Sequence, residues 1–466
     1  MKSSLNLILT PATLLIVSCS SFTESGSDYA QPKFQPAANY KSATSSNLGV
    51  STQWWKAFQD SKLNSLQSEL LAQNLDLAAA YARRQQALAR LGISSSNLFP
   101  QSDASAGANR EKSTRNGLGG SQLSEYSNQY NAGANLSYEL DLWGRVRDLV
   151  NAGKANAEAA DYAIADVRVT LQTQLARQYF SLRFLDAETA TLKSAVKTRQ
   201  ENVKITTERL EQGLTSELDS ARANSELANA RAELLSLKGS RAQLENSIAV
   251  LLGRQASTFR ISPRNYAGNL PRIPAGVPAA LLYRRPDLAV AERKIAVATA
   301  LIGEADKERY PKFSLTGSAG VSSISTSKFL DWSSAFYSIG PSASVPLFQG
   351  RRIKSNILLT KAQRAEALLN YQQTALTAFA DVESALANLS ALREESAARK
   401  TSVNAASRTY ELSSLRYQEG VTSYLDVADA ERERLTAERA AVRTRGRQFA
   451  ATVQLIQALG GGFGKK

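Results

Sequence analysis

The sequence predicts a mainly α-helical chain that also supplies four strands to a membrane β-barrel, the whole built from two internal repeats. Three observations predict this. Two long proline-free stretches each hold a helical tract rich in Ala, Leu, Glu, Arg and Gln, one from about Arg145 to Gln212 and one from about Arg351 to Glu419. Ahead of each tract the hydrophobic pattern switches to period two. The two halves of the chain also repeat each other, mark for mark.

The repeat is read from several points in order. Leu98-Phe99-Pro100-Gln101 matches Arg309-Tyr310-Pro311-Lys312, and Trp143-Gly144-Arg145 matches Gln349-Gly350-Arg351. Arg209 to Asp219, containing Gly213, recurs as Arg416 to Asp426, containing Gly420, at an offset of about 207 residues. Gene duplication accounts for this, with repeats at 53–262 and 263–466.

The elements follow in order. Residues 19–52, with Pro32 and Pro36, read as an extended tether. From Leu63 to Leu91, leucines recur at threes and fours, a helical unit that Pro100 ends. A strand is expected around Asp103 to Arg110. In the next, Tyr126, Asn128, Tyr130, Ala132, Ala134, Leu136, Tyr138 and Leu140 share one face. The first long tract runs to a turn at Gly213, and a second helix follows. Prolines at 263, 271, 274, 278 and 286 mark a joint. Phe313 to Val321 and Ala335 to Leu347 alternate as two further strands before the second long tract, the Gly420 turn and a closing helix. At 1.5 Å per residue each long tract extends roughly 100 Å, which suits a coiled coil or helical tube rather than a small globule.

Four strands cannot close a barrel, and open edges are forbidden in lipid, where backbone groups find no water. Closure therefore requires copies of the chain. No apolar run reaches the roughly 18 residues of a spanning helix.

Composition narrows the chemistry. The 466 residues include no histidine, and Met1 is the only methionine, so imidazole catalysis and His-ligated metals are excluded. No nucleophile–base set or phosphate loop is evident, so no enzyme and no cofactor is expected. The net charge is +14. Most basic residues alternate with acidic ones at helical spacing, as in Glu431-Arg432-Glu433-Arg434, which reads as solvated helix faces rather than a nucleic-acid stripe. The only cysteine, Cys19, follows Lys2, an apolar stretch from Leu5 to Val17 and a small residue. Residues 1–18 thus read as a lipoprotein-type signal, with Cys19 as the acylated first residue of the mature chain.

These features together resemble the TolC-like outer-membrane efflux proteins, in particular their OprM/NodT-like lipoprotein branch. The resemblance is carried by Gln53-Trp54-Trp55-Lys56-Ala57-Phe58, by Leu281-Leu282-Tyr283-Arg284-Arg285-Pro286-Asp287-Leu288, by Tyr310-Pro311 and by Tyr417 to Asp429. It implies a homotrimer: a 12-stranded β-barrel in the outer membrane, continued by a long periplasmic α-barrel. It also implies a periplasmic adaptor protein and an inner-membrane pump of the resistance-nodulation-division class as partners, outer-membrane lipid around the barrel, and export of small molecules such as drugs or ions. Some relatives serve type I protein secretion instead. A lipid-tethered periplasmic coiled-coil scaffold would share the long helices but would not need the strands.

The resemblance also implies roles. Asp426 and Asp429, spaced i, i+3 on one helix face, match the family's aperture carboxylates, whose like-charge rings would raise their protonation. A capping role for Asp426, with Ser423 as N-cap, is compatible with this, and Ser216 and Asp219 repeat that pattern. Tyr417 matches a tyrosine that bonds across the closed aperture, and Arg432 stands three residues from Asp429. Thr422 occupies a position often basic in the family. Gly213 and Gly420 should form the periplasmic turns that meet the adaptor. Arg284 and Arg285 are expected to stabilise the belt around the tube. Trp54, Trp55 and Trp143 are expected to pack, and Trp332 to lie at the lipid boundary or in a surface loop.

Overall fold

The computed structural model describes residues 32, 36–37, 39–41, 50–112, 126–266, 268–276 and 278–463. Cys19, the signal stretch, most of the tether and the Gly117–Gly120 loop lie outside them.

A short 3₁₀ turn, Trp54–Phe58, precedes α1 (Ser61–Gln73) and α2 (Leu75–Ser96). The unit expected as one helix from Leu63 to Leu91 is therefore two. Asn74 adopts an extended conformation, its Oδ1 accepts from the Leu77 N–H, and its Nδ2 donates to the Leu251 carbonyl at 2.7 Å. An Asn that caps the next helix interrupts a leucine pattern that stays continuous across the break.

The hairpin β1 (Gln101–Lys112) and β2 (Tyr126–Leu140) leads into α3 (Arg145–Glu211) and α4 (Glu217–Leu251). An irregular connector and a single turn, α5 (Leu281–Arg284), then reach α6 (Pro286–Lys307). The second hairpin is β3 (Lys312–Ser323) and β4 (Ala335–Ser344), followed by α7 (Arg352–Gln418) and α8 (Tyr424–Ala458). The duplication is visible in lengths: α3 and α7 each have 67 residues, and α4 and α8 each have 35. No helix among the described residues is long and apolar enough to cross a membrane.

The four strands form one antiparallel sheet in the order β1-β2-β3-β4. Its register aligns the alternation across all four. Ala104 pairs with Ala134, Ala134 with Ala319, and Ala319 with Tyr337. The adjacent rows on that face hold Leu136, Leu315, Ile339 and Val321. On the other face Asp103, Asn135, Ser318 and Ser338 align. A one-residue slip of any strand would turn its apolar set to the polar side. The outer edges of β1 and β4 pair with no further strand among the described residues, as a sheet that closes only with copies requires. β4 ends at Ser344 rather than continuing to Leu347: Val345 and Leu347 are exposed in the loop that leads to α7. Trp332, 91% exposed, lies in the loop between β3 and β4.

The main core gathers the tube's middle. Trp54, Trp55 and Phe58 are buried there with Leu175, Phe180 and Phe449. Arg285 braces the same belt, bridging Asp287 at 2.6 Å and Asp381 at 3.1 Å and donating to the Ala458 carbonyl. Trp143 packs at the junction of strands and helices, stacked on Tyr310, with its indole N–H on the Pro311 carbonyl at 2.8 Å.

Candidate functional site

The end of the helical tube opposite the strands is built twice, by the α3–α4 and α7–α8 turns. Each turn closes as a Schellman motif. Gly213 N–H bonds the Leu210 carbonyl and Leu214 N–H the Arg209 carbonyl; Gly420 bonds Tyr417 and Val421 bonds Arg416 in the same way. The motif needs a left-handed residue, and Gly213 and Gly420 have φ of +70° and +73°. A Cβ at either position meets nothing within 4 Å, so only the backbone conformation demands glycine. Gly420→Ala is expected to lower stability by about 1 kcal/mol in chemical unfolding. An unchanged midpoint would mean that the turn relaxes without cost.

Each second helix is then capped by the same residue set. The Ser216 hydroxyl accepts from the Asp219 N–H, and Thr215 Oγ1 donates to Asp219 Oδ2 at 2.8 Å. In the second repeat Ser423 and Asp426 form a capping box. The hydroxyls of Thr422 and Ser423 both donate to Asp426 Oδ2. Thr422 thus serves Asp426 as a local donor. Those two hydroxyls hold the Asp426 carboxyl below its usual range, the opposite of the upward shift expected from a ring of like charges. Within one chain, local hydrogen bonding sets the direction.

Asp429 is exposed and pairs with Arg432 at 2.9 Å, and Arg432 also reaches Glu226 of α4 at 2.9 Å. Behind this surface lies a buried network. Arg199 of α3 meets Glu226 at 3.1 Å and Glu431 of α8 at 3.4 Å, and Asn202 donates to Glu431 at 3.2 Å. Glu431 is 2% exposed, and burial raises its carboxyl above the usual range. The solvated-face reading of residues 431–434 is therefore corrected. Arg432 and Glu433 are exposed, but Glu431 points into the α3–α8 seam and Arg434 packs its guanidinium 4.1 Å from the Tyr410 ring centroid. Alternating charge shows no such difference in the sequence; the signal for it is apolar, in the buried Ala428 and Leu435 around Glu431.

Tyr417 is drawn into the same assembly. Its ring lies under the Arg209 guanidinium at 4.6 Å and edge-on to Tyr424 at 5.8 Å. Its hydroxyl is enclosed and has no hydrogen-bond partner among the described residues. The structure thus brings Tyr417, Asp426, Asp429 and Arg432 to one end of the tube, beside both glycine turns. Spacing alone does not single out the exposed Leu214, Leu218, Val421 and Leu425, which occupy equivalent places in the two turns.

A sheet with one apolar face and open edges, set on helices long enough to leave the membrane, defines an outer-membrane channel subunit. The chain matches the family model "Outer membrane efflux protein" over residues 66–254 and 277–461, and it belongs to that family. It is 30% identical to the pyoverdine export outer membrane protein OpmQ of Pseudomonas aeruginosa, over 98% of this chain and 97% of that protein. It is also 30% identical to outer membrane protein OprJ of the same species, covering 93% and 92%. The solved outer-membrane channel OprN superposes with a TM-score of 0.84 at 29% identity, covering 93% of this chain and 98% of that one. The chain is accordingly an outer membrane efflux protein, mainly helical and built from two repeats.

Proposed function

We propose that three copies close a 12-stranded β-barrel continued by an α-barrel, and that this tube is a passive conduit for small molecules, gated at its helical tip. The observation that carries the reading is the four-stranded sheet whose register gathers most apolar side chains of its strands on one face, Phe336 of β4 standing on the other, while both edges stay open among the described residues. Apolar-out, polar-in strands without a free edge are the condition for residence in lipid.

The gate is assigned to Asp426 and Asp429, with Arg432 and Tyr417 holding their helices. Three Asp429 carboxylates brought together would attract cations and repel one another, so the closed state depends on the Arg432 bridges and on the local donors to Asp426. The turns at Gly213 and Gly420, with the exposed Leu214, Leu218, Val421 and Leu425, are the surface offered to a periplasmic adaptor. The adaptor links the tube to an inner-membrane pump of the resistance-nodulation-division class. Cys19 carries the lipid anchor, and the connector between the two matched blocks divides the repeats.

Planar-bilayer recording tests the gate. Purified wild type should show rare, small openings, and Asp426→Ala/Asp429→Ala several-fold larger and longer ones. Unchanged openings would leave the channel and remove the gate; silence from a folded trimer of either form would favour a tethered scaffold.

A further inference from the structure

α8 exposes one continuous stripe. At 3.6 residues per turn, Asp429, Thr436, Arg443 and Arg447 fall within about 40° of one another around the helix. Arg447 stands five whole turns, about 27 Å, from Asp429 along the axis. A groove of about 350 Å³ opens between this stripe and α7, lined by Arg399, Thr436, Arg439, Arg443, Thr444 and Arg447. Among the described residues no carboxylate lines it. The side chains of Arg443 and Arg447 are 58% and 56% exposed.

The carboxylates that meet these guanidiniums approach from its flanks. Glu188 of α3, buried, holds Arg439 at 3.0 Å and Arg443 at 2.6 Å. Glu395 of α7 holds Arg447 at 2.7 Å and Arg399 at 3.4 Å, and Glu233 reaches Arg439. Among the described residues four guanidiniums thus face three carboxylates, and the groove stays cationic. Glu188 and Glu395 also orient the planar forks, which suits bidentate capture of an oxyanion.

We infer that Arg399, Arg443 and Arg447 form a cationic zone of the lumen inside the Asp429 ring, where the channel recognises solutes bearing carboxylate, sulfonate or phosphate groups. The inference rests on the reading of Asp429 as a lumen-facing gate residue, because Arg443 and Arg447 share its face of α8 and Arg399 of α7 lines the same groove. In the assembled tube the tip is then acidic and the next segment basic, so an anionic cargo that passes the gate is drawn onward.

The test uses full-length protein in planar bilayers under a KCl gradient, with citrate added on the tip side as a trivalent probe. Arg443→Gln/Arg447→Gln should lower the chloride-to-potassium permeability ratio about threefold and weaken citrate block about tenfold. The charge-retaining Arg443→Lys/Arg447→Lys should keep the permeability ratio and weaken only the block. A glutamine variant with an unchanged ratio and unchanged block overturns the inference. The gate reading is judged separately, by whether Asp426→Ala/Asp429→Ala enlarges the openings, since the permeability ratio is read from openings of either protein. If the glutamine variant fails to fold, Arg447→Cys labelled with a negatively charged methanethiosulfonate decides. Current and selectivity should change on labelling; no change places the residue outside the lumen and overturns the inference.

Discussion

Arg199→Met is expected to destabilise the helical tip by about 3–5 kcal/mol, because it strips a buried carboxylate of its charged partner. Arg199 is 5% exposed and Glu431 2%, and the guanidinium stands between Glu431 and Glu226 while donating to the Glu226 carbonyl at 2.7 Å. Without it, Glu431 keeps only the Asn202 amide as a hydrogen-bond donor among the described residues. The Arg199→Met/Glu431→Leu pair should recover most of the loss, since a well-packed apolar pair often replaces a buried ion pair at little cost. The deficit should also narrow with acid. Burial already holds the folded Glu431 carboxyl above its usual range, so its ionised form is the disfavoured one and protonation on folding is favoured as pH falls. Losing Arg199 raises it further, and the variant should come closer to wild type between about pH 7 and about pH 5. Urea unfolding followed by circular dichroism at the two pH values measures both effects. A single variant within about 1 kcal/mol of wild type would mean that water or Arg434 satisfies Glu431 instead.

Phe449→Ala should cost about 3–5 kcal/mol for a different reason, loss of apolar contact and a cavity that its neighbours cannot fill. Phe449 is 1% exposed and lies at the centre of four rings. Phe180 is at 5.0 Å, Phe184 at 5.1 Å, Tyr266 at 5.4 Å and Phe58 at 5.9 Å between centroids. These rings come from α3, from the connector between repeats and from the 3₁₀ turn at Trp54–Phe58, so Phe449 joins the end of the chain to its beginning. Phe449→Leu, which keeps most of the volume, should lose less than about half as much. Thermal unfolding of the extracted protein compares the three. A Phe449→Ala midpoint equal to that of wild type would show that the belt does not depend on this hub.

Much of the channel is legible in the order of its amino acids. The long helices, the strand faces, the duplicated turns and the Ser423–Asp426 cap are all set by spacing along one chain. A period of two or of 3.6, a proline or a left-handed glycine acts within a few residues, and a duplicated gene writes each signal twice. The family model matches along both repeats, over residues 66–254 and 277–461.

What spacing does not reveal depends on neighbours far away in the chain. The break at Asn74 uses a carbonyl of α4. The seam that buries Glu431 depends on which side of α8 meets α3, and an alternating charge run carries no sign of that choice. Thr422 carries no sign in its spacing of the partner it takes, and in the fold it donates to Asp426. The arginine groove exists only because α7 lies beside α8 while Glu188 of α3 and Glu395 of α7 hold the guanidiniums. The elements, their order and their faces thus follow from the chain itself, because local sterics and periodicity decide them. Which charged side chains are desolvated and paired is settled only when the helices pack, because burial belongs to the packed assembly and not to any one helix.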